Sequence, residues 1–298
     1  MNRFRNYHHF ITLSTCHHHD WFRTRAHTPK DFTRVTKQPK AVLIALFCQL
    51  VILVSIAFII CKVLALPPLL AVGLMLLAAS PGGSTANLFS YLFKGDIALN
   101  ITLTAINSVI AAFTLPLIVN FAIQHFINDG QEISLQFSKI LQVFAIIIIP
   151  VGIGMLIRHY APHFTEKLNK PLRIFAVSFL ILIIIGAITK ERHQILEYLA
   201  QVGLATVLFC LCSLLIGYFV PRLLGINSAQ ARACAFEIGI HNSTLAMTIA
   251  LTVMASSTVA MPAAVYSIFM YVFAAVFGML LNKFAPQPKV DILREPTT

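Results

Sequence analysis

The sequence predicts an all-α polytopic membrane protein, and three observations predict it. Of the 298 residues 58% are hydrophobic and only 11% are charged, where soluble domains carry roughly 25% charged residues. The apolar residues gather after Ala41 into runs long enough to cross a bilayer. The Lys and Arg sit mainly between those runs. A net charge of +11 in a soluble chain would suggest a nucleic-acid partner, but between apolar runs it sets orientation in a lipid bilayer, and nucleic acid is set aside. Nothing in the pattern asks for a protein partner or an organic cofactor.

Residues 1–40 form a basic segment without the continuous apolar core of a signal peptide. Its Cys16-His17-His18-His19-Asp20 tract has no second ligand cluster at a defined spacing, so a poorly structured or mistranslated tail is favoured over a metal site. Eight spans follow: Ala41 to Leu64, Leu69 to Phe93, Ile97 to Ile123, Ile140 to Ile157, Ile174 to Thr189, Leu196 to Val220, Ser228 to Met254 and Val259 to Leu281. The fifth is short, and Arg173 and Lys190 are expected to snorkel at its ends. With the N-terminus inside, every one of the 22 Lys and Arg except Lys62, Lys139, Lys190 and Arg192 falls on the cytoplasmic side. Both termini are therefore expected in the cytoplasm. Of the six cysteines, all but Cys16 lie in apolar stretches and read as small packing residues.

Two of these spans carry helix breakers at bilayer depth. The second contains Ser80-Pro81-Gly82-Gly83-Ser84-Thr85, where a proline and two glycines remove a backbone donor and the helical preference. Unpaired backbone at that depth must be buried in protein or line a cavity; a simple proline kink is the alternative. The seventh contains Glu237-Ile238-Gly239-Ile240-His241-Asn242-Ser243, and Glu237 is the one acidic residue of eleven deep in an apolar run. A carboxylate there costs about 2.5 kcal/mol or more and marks a functional site by default, the alternative being a protonated acid bonded to a neighbouring helix. His241 taken alone reads more readily as a satisfied packing residue than as a ligand.

The first break comes about 41 residues after the start of the first span and the second about 44 after the start of the sixth, each followed by one long span. Spans one to three and six to eight thus read as two copies of one unit on opposite sides of the membrane. An inverted repeat with a discontinuous helix in each half points to a secondary transporter. The expected organisation is 41–123, first-repeat core helices broken at 80–85; 124–190, the spans preceding the second copy; 191–284, second-repeat core helices broken at 237–243; and 285–298, a tail. Two spans precede the second copy and none the first, so two helices are unaccounted for. A displaced start or reading frame is favoured over a shortened variant.

Hard cations such as sodium want oxygen ligands. Glu237 offers a charge, Asn87 follows the first break, Asn100, Thr104 and Asn107 share one face of the third span, and Gln49 is the one strongly polar side chain of the first. The alternative for this stripe is interhelical hydrogen bonding. Half-helix N-termini at the breaks favour an anion, with Gly82, Gly83, Ser84, Asn242 and Ser243 placed to meet it. No buried Arg or Lys is expected to help.

The runs Ser80 to Asn87, Lys94-Gly95-Asp96-Ile97-Ala98-Leu99 and Glu237 to Ser243 resemble the bile acid:sodium symporter family, in its bacterial type, from about Thr28 to the end of the last span. The resemblance implies ten helices in two inverted repeats of five, a panel and a core, and two discontinuous helices crossing at two sodium sites. Eight helices are read here, the absent pair belonging to the panel. By position, the first site would use Asn87, Asn100, Thr104 and Glu237, and the second Gln49, Glu237, His241 and the carbonyls of Ile238 and Ile240. Ala86 stands where a serine is frequent, and His241 stands where a glutamine is typical, a poorer sodium ligand that puts the second site in doubt. The implied function is sodium-coupled import of an organic anion, a bile acid or sterol type or a small acid such as pantoate or a 2-oxo acid, across the bacterial inner membrane. A truncated, transport-inactive member is the alternative. An intramembrane enzyme is remote, since one acid and one histidine supply neither a nucleophile with its base nor a metal motif.

Overall fold

The computed structural model describes residues 39–127 and 195–285, with the single positions 153, 160, 161, 164 and 171. The basic opening segment, the expected fourth and fifth spans and the tail beyond 285 lie outside the described residues. The described chain is all helical apart from one isolated bridge. Helix α1 (Pro39–Phe47) runs through a π-helical turn, Cys48–Ile52, into α2 (Leu53–Val63). Next come α3 (Pro68–Ala79), α4 (Ser84–Leu92) and α5 (Ile97–Phe126), then α6 (Ile195–Leu223), α7 (Ser228–Gly239), α8 (Ser243–Thr252) and α9 (Ser257–Phe284). Among the described residues four stretches are long and apolar enough to cross a membrane: Pro39–Val63, Ile97–Phe126, Ala200–Leu223 and Ser257–Phe284.

Between them lie the two interrupted helices. Neither is a proline kink. After Ala79 the chain becomes extended at Ser80 (ψ 143°) and stays so to Gly83 (ψ 154°), because Pro81 has no N–H to continue α3. The second interruption falls between Gly239 and Ser243, so it begins three residues after Glu237, which is expected inside the break but sits on helix α7.

The two halves share their punctuation. Among the described residues positive φ occurs at Ala65 (47°) and Gly225 (80°), in the turn before each interrupted helix, and at Lys94 (59°) and Ala255 (49°), in the turn after it. The long helix after each turn is capped alike: Asp96 accepts the N–H of Leu99, and Ser256 that of Val259. The extended stretches meet at an antiparallel bridge between Gly82 and His241. The interrupted helices therefore run in opposite senses through their crossing, as an inverted repeat requires.

The core sits on the first halves of the interrupted helices. In α3 every residue from Leu70 to Ala79 is buried, and in α7 every residue from Ala231 to Gly239. A helix buried all round must be enclosed by other helices, and α3 packs on α2, α5 and α9 while α7 packs on α4, α5 and α6. Gly73 lets α9 come close, since a Cβ there would meet the Val259 carbonyl and the Pro262 ring. Cys48, Cys61, Cys210 and Cys234 are buried free thiols, as packing residues should be, and Cys212 is half-buried.

One expectation is corrected. Against the expectation that no Arg or Lys is buried, Arg232 lies on α7 with no exposed surface. Its guanidinium donates to the Phe93 carbonyl (2.9 Å), to Asn282 Oδ1 (2.5 Å) and to the Leu281 carbonyl (2.9 Å), with Nε 3.4 Å from Ser228 Oγ. It thus caps the C-terminal carbonyls of α4 and α9, where a cation meets the negative ends of two helix dipoles. A buried arginine exists, but at the helix ends and bonded to them.

Candidate functional site

The bridge defines the site. Gly83 donates to the Ile240 carbonyl (2.7 Å) and Asn242 to the Pro81 carbonyl (2.8 Å), so the two breaks satisfy each other's backbone at the crossing. Glu237 lies one turn before this bridge, 2% exposed. Thr104 of α5 donates to its Oε2 at 2.5 Å, while Oε1 has no hydrogen-bond partner among the described residues. The carboxyl group packs directly on Gly82, where any Cβ would overlap it. Glycine at 82 is therefore required by close approach, beyond its role as helix breaker.

Around this carboxylate the expected ligands fall into two groups. Asn100, fully buried on α5, directs its Nδ2 at the Ser90 hydroxyl and at the carbonyls of Ala86 (3.4 Å) and Ala233 (3.1 Å). Those acceptors fix which end of the amide is nitrogen and leave Oδ1 without a partner. Asn87 on α4 likewise has a buried, unpartnered Oδ1, its Nδ2 lying 3.5 Å from the Ser84 carbonyl. With Thr104 and Glu237 these make the first group. Ala86 is fully buried and brings no oxygen on its side chain.

The second group centres on the α3 end of the crossing. The π-helical turn carries Gln49 inward, 2% exposed, where its Nε2 donates to the carbonyls of Ser80 (3.1 Å) and Ala78 (3.4 Å). Its Oε1 is again unpartnered. His241 places Nδ1 3.2 Å from the same Ser80 carbonyl, and because a carbonyl only accepts, the proton belongs on Nδ1 and Nε2 is left as a bare lone pair. The ring stacks on Phe209 (5.2 Å) and meets the edge of Tyr266 (5.5 Å). The Ile240 carbonyl already accepts from Gly83. The Ile238 carbonyl loses its usual donor four residues on, since Asn242 N–H turns to Pro81.

The residues expected to meet an anion are placed less openly than the sequence suggested. The N–H groups of Gly83, Asn242 and Ser243 are all engaged, the last with the His241 carbonyl (2.9 Å), and the Asn242 side chain caps α8 by accepting from Leu245 (3.0 Å). Gly82 is covered by Glu237. Of that set Ser84, first residue of α4, is exposed, and Thr244 is its exposed counterpart on α8.

Three participants escape a sequence reading. The π-helical turn has no composition of its own, Ser90 is one serine among many, and Tyr266 counts as hydrophobic although its hydroxyl donates to the Gly239 carbonyl (2.8 Å) at the second break. Among the described residues the buried side-chain atoms left without partners are nearly all oxygens: Gln49, Asn87, Asn100, Asn107, Asn120 and Glu237, with the His241 nitrogen as the exception. Buried acceptors are rarely left unpaired, and a surplus of oxygen acceptors over donors is what a hard cation would fill.

A family described as the Sodium Bile acid symporter family matches residues 26–198 of this chain. Similar proteins include mouse "P3 protein", 34% identical over 215 residues (71% of this chain and 44% of that protein). The Arabidopsis thaliana "Probable sodium/metabolite cotransporter BASS1, chloroplastic" is 27% identical over 265 residues (89% and 65%). The human "Ileal sodium/bile acid cotransporter" is 26% identical over 255 residues (83% and 72%). The chain thus spans less than two thirds of the length of the mouse and plant proteins.

Proposed function

The chain belongs to the sodium bile acid symporter family, and from that premise we propose that it imports an organic anion together with sodium by alternating access around the crossed breaks. The observation that carries this reading is the set of unpartnered buried oxygens on Gln49, Asn87, Asn100 and Glu237 at the point where two interrupted helices bridge. Sodium as cargo would supply the positive charge that these acceptors lack. Glu237 would be shared by a first position with Asn87, Asn100 and Thr104 and a second with Gln49, His241 and the carbonyls of Ile238 and Ile240. With Glu237 neutralised by the cation, the positive ends of α4 and α8 would face an anion entering beside Ser84 and Thr244. Residues 41–123 and 191–284 would act as the core, moving against the 124–190 panel, in a bacterial inner membrane with both termini cytoplasmic.

The names of the similar proteins, a metabolite cotransporter and a bile acid cotransporter, support two substrate classes. One is a bile acid or other acidic sterol, the other a small carboxylate such as pantoate or a 2-oxo acid. Proteoliposomes carrying the purified chain, given an inward sodium gradient and both classes of labelled anion, should accumulate one class above the potassium control. Glu237→Gln should reduce that uptake to background. Equal uptake in sodium and potassium would overturn sodium coupling, and no uptake of either class beside a folded protein would favour the transport-inactive reading.

A further inference from the structure

Asn107 lies on α5, 2% exposed, with an Oδ1 that has no hydrogen-bond partner among the described residues. It is neither bonded into the crossing as Asn100 is nor needed to close a helix end. Its position is informative. Asn100, Thr104 and Asn107 recur at the spacing of one helical face, and that face is fixed by bonds: Asn100 reaches Ser90 of α4 and Ala233 of α7, and Thr104 reaches Glu237 of α7. Helices α4 and α5 are joined by the turn at residues 93–96 and run antiparallel, with Asn100 beside Ala86 and Ser90. About two turns farther along α5, Asn107 therefore stands level with the first break, where α3 ends and the extended stretch begins.

Two buried oxygens consequently lack partners on neighbours of the same hydroxyl. Glu237 Oε1 belongs to the carboxylate that Thr104 touches, and Asn107 follows Thr104 by three residues, a spacing that brings side chains within about 5–6 Å at Cβ. As the Asn107 amide is oriented here, both atoms are acceptor oxygens, so neither can satisfy the other while Glu237 is ionised. A cation between them satisfies both, and the C-terminal end of α3 adds the negative end of a helix dipole at that level. We propose that Asn107 is a further sodium-binding residue, giving its amide oxygen to the ion held at Glu237 and extending that site along α5 toward the end of α3. The inference rests on the sodium reading above and adds a ligand to it.

The test uses the full chain in detergent with sodium chloride alone as the probe, at constant ionic strength with potassium. Its readout is the sodium concentration giving half of the sodium-specific rise in Tm. Asn107→Leu keeps the volume and removes the oxygen; it should raise that concentration about tenfold while leaving the Tm in potassium near that of the parent chain. Asn107→Asp adds charge at the same place and should lower it, and this variant carries the test alone if the leucine variant does not fold. Half-maximal sodium unchanged in both, with Glu237→Gln abolishing the response, would overturn the role of Asn107 and leave the sodium site standing; a bridging water would give that result. A parent chain without any sodium-specific rise would overturn both.

Discussion

Glu237 can be held in the bilayer because of what surrounds it. A carboxylate at such depth costs about 2.5 kcal/mol or more, and here one hydroxyl and one tightly packed glycine are its neighbours. Gly82→Ala should therefore displace the carboxyl group. We expect a loss of about 1–3 kcal/mol in stability, as for overpacking elsewhere, together with loss of any sodium-dependent rise in Tm; a variant as stable and as sodium-responsive as its parent would show that the carboxylate has room to move. Tyr266→Phe removes the hydrogen bond to the Gly239 carbonyl and should cost about 1 kcal/mol, read from denaturation in potassium. The sequence disclosed Glu237, Thr104, Asn100 and Gln49 because each is a polar residue in an apolar run. It did not disclose Tyr266 or Ser90, whose roles depend on which carbonyl or amide lies opposite them, and it could not tell that the N–H groups of Gly83 and Asn242 are spent on the bridge.

Helix α4 is held at both ends by α7. Its first end is tied through Gly83 and Ile240, and its last carbonyl accepts from Arg232, which also closes α9. The guanidinium serves acceptors on three elements at once, a task for a planar fork and not for a point charge. Arg232→Lys should fail to rescue what Arg232→Met loses, about 3–5 kcal/mol if the buried network behaves as others do. Equal melting of the lysine variant and the parent would show that charge alone suffices. This arginine was misread from sequence because it lies four residues into its helix, close to the short loop before Ser228, among alanines that carry no sign of depth. The breaks, by contrast, were legible, since Pro81, Gly82 and Gly83 in succession strongly disfavour a helix. The limits of the second break were not, as Gly239 still completes α7.

Across the whole molecule the repeat is written in the backbone more plainly than in the side chains. Left-handed residues recur at matching turns, but glycine occupies only one of the four positions, Gly225, while Ala65, Lys94 and Ala255 hold the same conformation at a steric cost. Ala65→Gly and Ala255→Gly should each raise stability, by about 0.5–1 kcal/mol before the greater freedom of the unfolded chain is subtracted; a fall in Tm for both would mean that the turns are set by packing. The four long described helices were legible from run length and the two interrupted ones from their helix breakers; the bridge that joins the interrupted pair was not, because the contact between Gly82 and His241 is set by tertiary structure. If this crossing is a built sodium site, the Tm of the purified chain in sodium against potassium at equal ionic strength, beside Glu237→Gln, will reveal it. A ligand of the native state stabilises it by mass action, so a sodium-specific rise that the variant lacks is expected. Identical melting in the two salts, or a rise that survives Glu237→Gln, would contradict it.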